Sequence, residues 1–228
     1  MPGADREVRA VLFDLWNTLV YSDFSPNPMT QIAGALGIAG DPVWRKRIER
    51  GMMTRRFLGI REALAGLERE TGSKIGSALE REALIRTWNE ACAATRFHDD
   101  AFPALRALAR RHRLGVVSNT QSFDLEFLRD PEFASLVGVT CLSCDQGRLK
   151  PDPAIFHAAA RAIGAPPDRI LMVGDNPEDD VRGAMGAGMI AVHLDRSGTA
   201  GAVRSAASAA PGSAGTIASL TELSGWLG

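Results

Sequence analysis

Short apolar runs that each end in a polar residue recur along this chain of 228 residues. They occupy residues 8–13, 114–117, 139–142, 170–173, 189–193 and 215–217. Each run is short and is bounded by turn-forming residues, which is typical of a strand buried on both faces of a parallel sheet. The pattern therefore predicts six buried strands.

Helical spacing of apolar residues fills most of the stretches between these runs. The predicted helices cover residues 101–113, 123–129, 152–163, 176–187 and a C-terminal segment through 227. Asp152-Pro153 and Asn176-Pro177 are typical helix starts, because each pairs an N-cap side chain with a proline in the first turn. Strands that alternate with helices predict an α/β fold with a doubly wound, Rossmann-like parallel sheet. A loop with a short helix is predicted for 197–215.

Residues 21–97 show no strand pattern and only helical spacing, interrupted by turn residues at 37–42 and 71–73. We therefore expect an all-helical insertion of about 75 residues between two elements of the sheet. The predicted domains are a core formed by 1–20 and 98–228, and a helical cap formed by 21–97.

The composition excludes several classes of protein. Lysine and arginine number 26 and aspartate and glutamate 27, so we expect neither a nucleic-acid nor a membrane-surface partner. No apolar run approaches the roughly 20 residues that span a bilayer, and residues 1–10 lack the apolar core of a signal peptide. Three cysteines are an odd number for a disulfide scaffold, so we expect a cytoplasmic protein.

Four predicted strand ends or adjoining loops carry polar residues: Asp14, Ser118, Lys150 and Asp175. Open α/β sheets bind ligands at the carboxyl edge of their strands. A carboxylate buried at such an edge without a partner costs several kcal/mol, so a cation is expected beside Asp14. We interpret Asp14 as a nucleophile held next to a metal ion.

These positions lie in four motifs that occur in order along the chain. The motifs are FDLWNTL at 13–19, VVSNT at 116–120, GRLKPDPAIF at 147–156 and VGDNPEDDVRGAMGAG at 173–188. Each motif is modest alone, but together they closely resemble the haloacid dehalogenase (HAD) superfamily of hydrolases. The helical insertion lies where that family places its C1 cap.

The resemblance implies a role for each motif residue. Asp14 is expected to take up a phosphoryl group as an aspartyl phosphate, with Ser118 and Lys150 holding the phosphoryl oxygens. The implied cofactor is Mg²⁺, bound by Asp14, Asp175 and the backbone carbonyl of Trp16. From the family's Gly-Asp-x-x-x-x-Asp spacing, we expect Asp180 to support the metal.

Other residues within the motifs are assigned from their positions. Leu15, Trp16 and Asn119 are expected to lie against an anionic small-molecule substrate. Asp179 is interpreted as structural, at the third position of its helix.

One motif position departs from the resemblance. Family phosphatases usually carry a second aspartate two positions after the nucleophile, which protonates the leaving oxygen, and Trp16 stands there instead. Loss of a general acid–base typically costs roughly 10² to 10⁴ in rate. Asp23 or His98, near the ends of the cap, could supply a substitute acid.

Three functions therefore compete. The first is a phosphatase, which either acts on a substrate whose leaving group needs little protonation or uses an acid from the cap. The second is a dehalogenase, and the third is a relative that only binds its ligand. The dehalogenase branch also lacks the second aspartate, but it works without metal and does not use the Gly-Asp motif. Because Asp175, Asp179 and Asp180 would repel one another without a cation, a Mg²⁺-dependent phosphatase ranks first, dehalogenation second and binding alone third.

Two further patterns favour structural interpretations. Lys46 could serve a phosphonate-hydrolase chemistry, but it lies in WRKRIERG, which predicts a solvated helical face. Cys141 and Cys144 have the spacing of a redox or zinc pair, but without a second pair we expect core cysteines.

Overall fold

The computed structural model describes residues 7–197 and 214–227, and within them six parallel strands form one sheet. In spatial order the strands are β5 (Val139–Leu142), β4 (Arg113–Ser118), β1 (Ala10–Phe13), β6 (Ile170–Gly174), β7 (Ile190–Leu194) and β8 (Gly215–Ile217). The predicted doubly wound α/β fold is confirmed. Most of the loop predicted for 197–215 lies outside the described residues.

Strand β1 lies at the centre of the sheet, hydrogen-bonded to β4 on one side and β6 on the other. Its side chains alternate between the two faces, as a pleated strand requires. Val11 and Phe13 belong to one apolar cluster, and Ala10 and Leu12 belong to another. Because all four are fully buried, the carboxyl end of β1 is held rigidly by packing on both faces.

Helices cover both faces of the sheet. The core helices are α5 (Ala101–Ala109), α6 (Pro131–Leu136), α7 (Ser143–Gln146), α8 (Pro153–Ile163), α9 (Gly183–Gly186) and α10 (Leu223–Leu227). The helix predicted over 123–129 is reduced to a 3₁₀ turn at Glu126–Arg129, followed by α6, which the apolar pattern missed. The helix predicted from 176 begins as a π-helical turn, Pro177–Arg182, before α9.

The insertion forms a separate helical layer. Its helices are α1 (Pro28–Ala35), α2 (Trp44–Met53), α3 (Ile60–Thr71) and α4 (Ala78–Ala93). They share an apolar cluster built around fully buried side chains, including Ile48, Met52, Leu64 and Leu67. The strand pattern missed a two-stranded antiparallel ladder, β2 (Val20–Tyr21) with β3 (Arg96–Phe97), which joins the two ends of the insertion.

The helical layer docks on the loop that follows β4. The Ser122 hydroxyl accepts a hydrogen bond from the Phe57 amide at 2.7 Å and donates to the Phe57 carbonyl at 2.9 Å. The Trp88 indole donates to Asp124 at 2.9 Å, and the Phe123 ring packs in the cluster of the insertion. Apolar and polar contacts therefore hold the two layers together.

Lys46 also bridges the layers, although its side chain is 43% exposed and the helical face that carries it is partly solvated, as predicted. Its ammonium lies 2.6 and 2.8 Å from the two oxygens of Asp179 and 3.3 Å from Glu49. The helical pattern identifies the helix but not the partner that its Lys46 meets.

No helix among the described residues is both long and apolar enough to cross a membrane.

A partly buried ion pair ties the segment after β7 to the start of α5 and to the 3₁₀ turn before α10. The Arg196 guanidinium donates to both oxygens of Asp100 at 2.9 and 3.0 Å, and Ser219 and the Leu220 amide donate to the same carboxylate. Burial by itself raises the pKa of Asp100, but these donors outweigh it and leave the pKa below its usual range. This carboxylate therefore stabilises the fold in its charged form.

We expect Asp100→Ala to lower the free energy of unfolding by about 2–3 kcal/mol at pH 7, because hydrogen bonds to a charged group are lost. Exposed Asp99→Ala is the control and should change it by less than about 0.5 kcal/mol. The pKa of Asp100 is lower in the folded than in the unfolded protein, where it is near 4. Its stabilising contribution is therefore complete above about pH 4 and is lost as the pH falls through the pKa of the folded state. Urea unfolding at several pH values measures these free energies. An equal decrease in the Asp100→Ala and Asp99→Ala variants would contradict the stabilising role of Asp100.

Candidate active site

Five predicted residues meet at the carboxyl edge of the sheet. Asp14 follows β1, Ser118 ends β4 and Asp175 follows β6. Lys150 lies in the loop before α8, and Asp180 lies in the π-helical turn after β6. Because parallel strands end at one edge, separate parts of the chain converge here.

The ammonium of Lys150 is the centre of this cluster. It lies 2.6 Å from Asp14 Oδ1, 2.5 Å from Asp180 Oδ1 and 3.1 Å from the Val117 carbonyl oxygen. The side chain is only 3% exposed. Burial by itself lowers the pKa of Lys150, but the charges of Asp14 and Asp180 outweigh burial and raise it, so the lysine stays protonated.

Asn119 holds the backbone that carries this lysine. Its carboxamide oxygen accepts from the Lys150 amide at 2.7 Å, and its nitrogen donates to the Lys150 carbonyl at 3.2 Å. Both polar ends of the side chain are thus used to position Lys150. A direct contact between Asn119 and the substrate stays a prediction.

Asp180 is the second carboxylate that contacts the lysine. Its Oδ1 binds Lys150, and its Oδ2 accepts from the Asn176 amide at 3.0 Å. A Cβ atom on Gly174 would overlap the Asp180 carboxyl group, so glycine is required before Asp175. Burial and the charge of Asp14 raise the pKa of Asp180 to about 7, against the lowering effect of Lys150.

Asp175 completes a group of three carboxylates. Asn17 and Thr18 lie 3.4 and 3.5 Å from its oxygens. Burial, and then the charge of Asp14, raise the pKa of Asp175 to about 6. One oxygen each from Asp14, Asp175 and Asp180 lie within 4.8 Å of one another.

These three residues suit a magnesium ion by their chemistry. Mg²⁺ prefers hard oxygen ligands, and carboxylates supply them. Three carboxylates against one lysine leave an excess of negative charge in a buried place, which the raised pKa values of Asp175 and Asp180 express. A divalent cation would remove that excess. The metal roles of Asp180 and of the Trp16 carbonyl stay predictions.

The hydroxyl of Ser118 is a buried group without a partner. Within the described residues, its Oγ finds no hydrogen bond. Buried hydroxyls are nearly always paired, and an unpaired one loses about 1–3 kcal/mol of solvation. A bound anion at the sheet edge would restore the missing hydrogen bond.

The turn after Asp14 depends on Asn17 and on Arg196, and the sequence pattern did not single out Arg196. Asn17 adopts a left-handed conformation with φ of 58°, which asparagine tolerates better than most residues. Arg196 donates to the carbonyls of Asn17 at 3.1 Å and Thr18 at 2.7 Å. Arg196 thus positions this turn while paired with Asp100, and no local motif around it signals that role.

Trp16 and Leu15 point in different directions. The Leu15 side chain is fully buried in the apolar core, so only its backbone could contact a substrate. The half-buried Trp16 ring packs edge-on against Phe127, and its Nε1 donates to Thr120 Oγ1 at 3.0 Å. Trp16 therefore forms a wall beside the carboxylates.

A cavity of about 170 Å³ lies between the helical layer and the core, and the Trp16 ring forms part of its lining. Trp16 and Asn17 line it at the end nearest the carboxylates. Neither candidate acid lines it. Asp23 is exposed and paired with Arg96, and His98 stacks on Tyr21 with a ring-centre distance of 4.5 Å.

Cys141 and Cys144 are free and buried, and burial raises the pKa of each thiol to about 11. The prediction of core cysteines is confirmed.

Comparison with known proteins connects this site to a family of hydrolases. The family model described as haloacid dehalogenase-like hydrolase matches residues 8–188. A phosphoserine phosphatase of Thermus thermophilus is 38% identical over 134 residues, which cover 56% of this chain and 53% of that protein. An (S)-2-haloacid dehalogenase of Pseudomonas putida is 26% identical over 184 residues, which cover 76% of this chain and 79% of that protein.

Among solved structures, a HAD phosphatase from Thermococcus onnurineus shares the fold, with a TM-score of 0.63. Its sequence is 22% identical, and the match covers 97% of this chain and 98% of that one. The chain spans about half the length of the phosphoserine phosphatase that it matches. The matches therefore include both phosphatases and dehalogenases.

Removal of the positive charge of Lys150 should destabilise the folded protein. In EDTA, we expect Lys150→Met to lower the free energy of unfolding by about 3–5 kcal/mol, because two buried carboxylates lose their partner. The exposed Lys74→Met is the control, with an expected change below about 0.5 kcal/mol. Chemical denaturation measures both, and a wild-type value for Lys150→Met would contradict the charge arrangement.

Magnesium should stabilise the folded protein through the three carboxylates. At about 100 times the dissociation constant, a ligand that binds only the folded state adds about 2.7 kcal/mol. We therefore expect the melting temperature of the wild type to rise with Mg²⁺ concentration and that of Asp175→Asn to rise much less. Asp23→Asn, at an exposed carboxylate, should respond as the wild type does. Equal responses of all three proteins in differential scanning fluorimetry would exclude a metal at this site.

Proposed function

Because the chain belongs to the haloacid dehalogenase-like hydrolase family, we propose that it is a Mg²⁺-dependent phosphatase that forms an aspartyl phosphate on Asp14. The proposed substrate is a small phosphorylated metabolite. The observation that carries the proposal is the group of Asp14, Asp175 and Asp180 around one buried lysine. Such a group is costly without a further cation and suits the binding of a cation and a phosphate together.

The first chemical step is attack of a carboxylate oxygen of Asp14 on phosphorus. Asp14 Oδ1 is held by Lys150, so the second oxygen is free to act as the nucleophile. A bond forms between this oxygen and phosphorus, and the bond from phosphorus to the leaving oxygen breaks with its electron pair. Water then attacks the phosphorus, and the bond between the Asp14 oxygen and phosphorus breaks with its electron pair. This restores the carboxylate and releases inorganic phosphate, which keeps the protons of the water.

Lys150 and Ser118 assist by charge and hydrogen bonding. Two anions about 4 Å apart repel by several kcal/mol at an effective dielectric near 20, and the Lys150 ammonium offsets that repulsion. The unpaired Ser118 hydroxyl is free to donate to a phosphoryl oxygen. Asp14, Asp175 and Asp180 would hold a magnesium ion, which would supply further positive charge at this edge of the sheet.

The residue at position 16 limits this reaction. The indole of Trp16 has one weakly acidic N–H, and that group already donates to Thr120. The indole therefore cannot donate a proton to the leaving oxygen. The phosphatase proposed here therefore releases its leaving group without help from this position.

Dehalogenation is the second candidate. Departure of a halide requires no proton, so the tryptophan at position 16 is compatible with it, and one matched relative is an (S)-2-haloacid dehalogenase. The three clustered carboxylates favour the phosphatase, because a reaction without metal leaves their repulsion unrelieved. A relative that only binds its ligand ranks third.

We expect the purified protein to hydrolyse an aryl phosphate in the presence of Mg²⁺ and to lose at least about 10³-fold in kcat when Asp14 is replaced by Asn, because the nucleophile is removed. EDTA should abolish the turnover, and added Mg²⁺ should restore it. A phosphate-release assay measures these rates, with Asp23→Asn as the matched control.

Halide release from a 2-haloacid in EDTA, without phosphate release under any condition, would replace the proposal with dehalogenation. Retained ligand binding without either reaction would favour the third candidate.

A further inference from the structure

We propose that the cavity beside Trp16 is the leaving-group subsite and that it selects an aryl phosphate whose ring carries a carboxylate. This inference rests on the proposed phosphatase function and names its substrate class. Trp16 and Asn17 place the cavity next to the carboxylates, because both line it and Asn17 also contacts Asp175. A phosphate bound at Asp14 would therefore direct its leaving group toward this space.

The size of the cavity suits a single ring. Its volume is about 170 Å³. An apolar cavity of about 150 Å³ in another protein binds benzene. One six-membered ring with a small substituent matches this volume.

The walls are predominantly aromatic and apolar. Trp16 forms the wall on the side of the core, and Trp88, Phe24 and Met53 belong to the helical insertion. Aromatic rings gain stacked or edge-on contacts with a flat ligand, and the thioether of methionine adapts to its shape. The lining therefore favours a ring over a hydrated alkyl polyol.

A short chain of hydrogen bonds orients one amide in the lining. Trp16 Nε1 donates to Thr120 Oγ1, and this hydroxyl donates to Gln121 Oε1 at 3.1 Å. Gln121 is 2% exposed, and its amide nitrogen has no partner within the described residues. These hydrogen bonds fix the orientation of the carboxamide, so its nitrogen stays free. That nitrogen can donate a hydrogen bond to an acceptor on the ligand.

Arg45 supplies the charge complement. Among the described residues that line the cavity, it alone carries a charged side chain. It lies on the exposed side of α2, with its guanidinium 5.5 Å from the centre of the Trp44 ring. A carboxylate on a bound ring would be attracted by the Arg45 guanidinium, so the expected ligand carries this charge in addition to its phosphate.

The same substrate class accounts for the tryptophan at the acid position. A phenol has a pKa near 10, like tyrosine, whereas an alkyl alcohol resembles water, near 16. When the P–O bond breaks, its electron pair stays on the aryl oxygen, which leaves as a phenolate and takes a proton from water afterwards. An aryl ester therefore tolerates the absence of a general acid, and an alkyl ester does not.

The first test compares phenyl phosphate with benzyl phosphate, which carry the same ring but differ in leaving-group acidity. With the wild type and Mg²⁺, we expect kcat/KM for the phenyl ester to exceed that for the benzyl ester by at least about 10²-fold, the usual effect of a missing acid. Trp16→Asp should reduce this ratio at least tenfold by accelerating the benzyl ester. Trp16→Phe, which keeps an aromatic wall but adds no acid, should keep the ratio high.

The second test fills the cavity. Ala91 of α4 lines it, and Ala93 of the same helix is exposed. We expect Ala91→Leu to raise KM for phenyl phosphate at least about tenfold, and Ala93→Leu to leave it unchanged. Titration with the product analogue 4-hydroxybenzoate should quench tryptophan fluorescence in the wild type and in Ala93→Leu, with at least about tenfold weaker binding in Ala91→Leu.

The third test addresses the carboxylate. We expect the ratio of kcat/KM for 4-carboxyphenyl phosphate to that for phenyl phosphate to fall about fivefold in Arg45→Gln. The matched control is Arg61→Gln, at an arginine of the same layer that pairs with Glu82, and it should keep the ratio.

Three outcomes would overturn the inference. Equal turnover of phenyl and benzyl phosphate by a Mg²⁺-dependent wild type would overturn the aryl preference and leave the phosphatase intact. Unchanged binding of 4-hydroxybenzoate in Ala91→Leu would remove the subsite. Absence of turnover with every phosphate ester would overturn the phosphatase and this inference together.

Discussion

The buried ammonium of Lys150 is the interaction on which the site depends. It lies between Asp14 and Asp180 and also reaches the carbonyl oxygen of Val117, so it connects β1, β4 and the turn after β6. A lysine buried in this way is stable only because carboxylates offset its desolvation. The same contact holds one oxygen of Asp14 and leaves the other free. One ion pair therefore both stabilises this edge of the sheet and orients the proposed nucleophile.

Several residues with no direct contact to that ammonium keep it in place. Asn119 holds the Lys150 backbone by two hydrogen bonds, and the bare Cα of Gly174 leaves room for Asp180. Arg196 fixes the carbonyls of the turn after Asp14. Each of these contacts restricts the conformation of a segment that carries a charged group. A displaced charge would be costly here, because little water is present to solvate it.

The helical insertion turns this edge into a bounded site. Ser122 and Asp124 bind its backbone and its Trp88, and Lys46 crosses back to Asp179, one residue from Asp180. Trp16 of the core and Trp88 of the insertion both line a cavity of about 170 Å³. In the proposed phosphatase, Trp16 presents an aromatic surface and no proton donor, so the acidity of the leaving group would decide how fast it departs.

The sequence by itself determined the strands, the doubly wound sheet and the convergence of Asp14, Ser118, Lys150 and Asp175. Those features follow from local rules, because apolar runs form strands and parallel strands end at a common edge. The same rules failed for α6 and for the short ladder of β2 and β3, whose stability comes from their neighbours rather than from their own residue pattern.

Only the tertiary structure decided which partners the remaining side chains meet. Lys46 has the surroundings of a solvated residue in the sequence, yet it pairs with a carboxylate 133 positions away. The free amide of Gln121, the unpaired hydroxyl of Ser118 and the Arg196 contacts likewise depend on how distant segments pack. Helical or strand periodicity specifies a face of an element, whereas the identity of the group opposite that face is set by the three-dimensional arrangement of the whole chain.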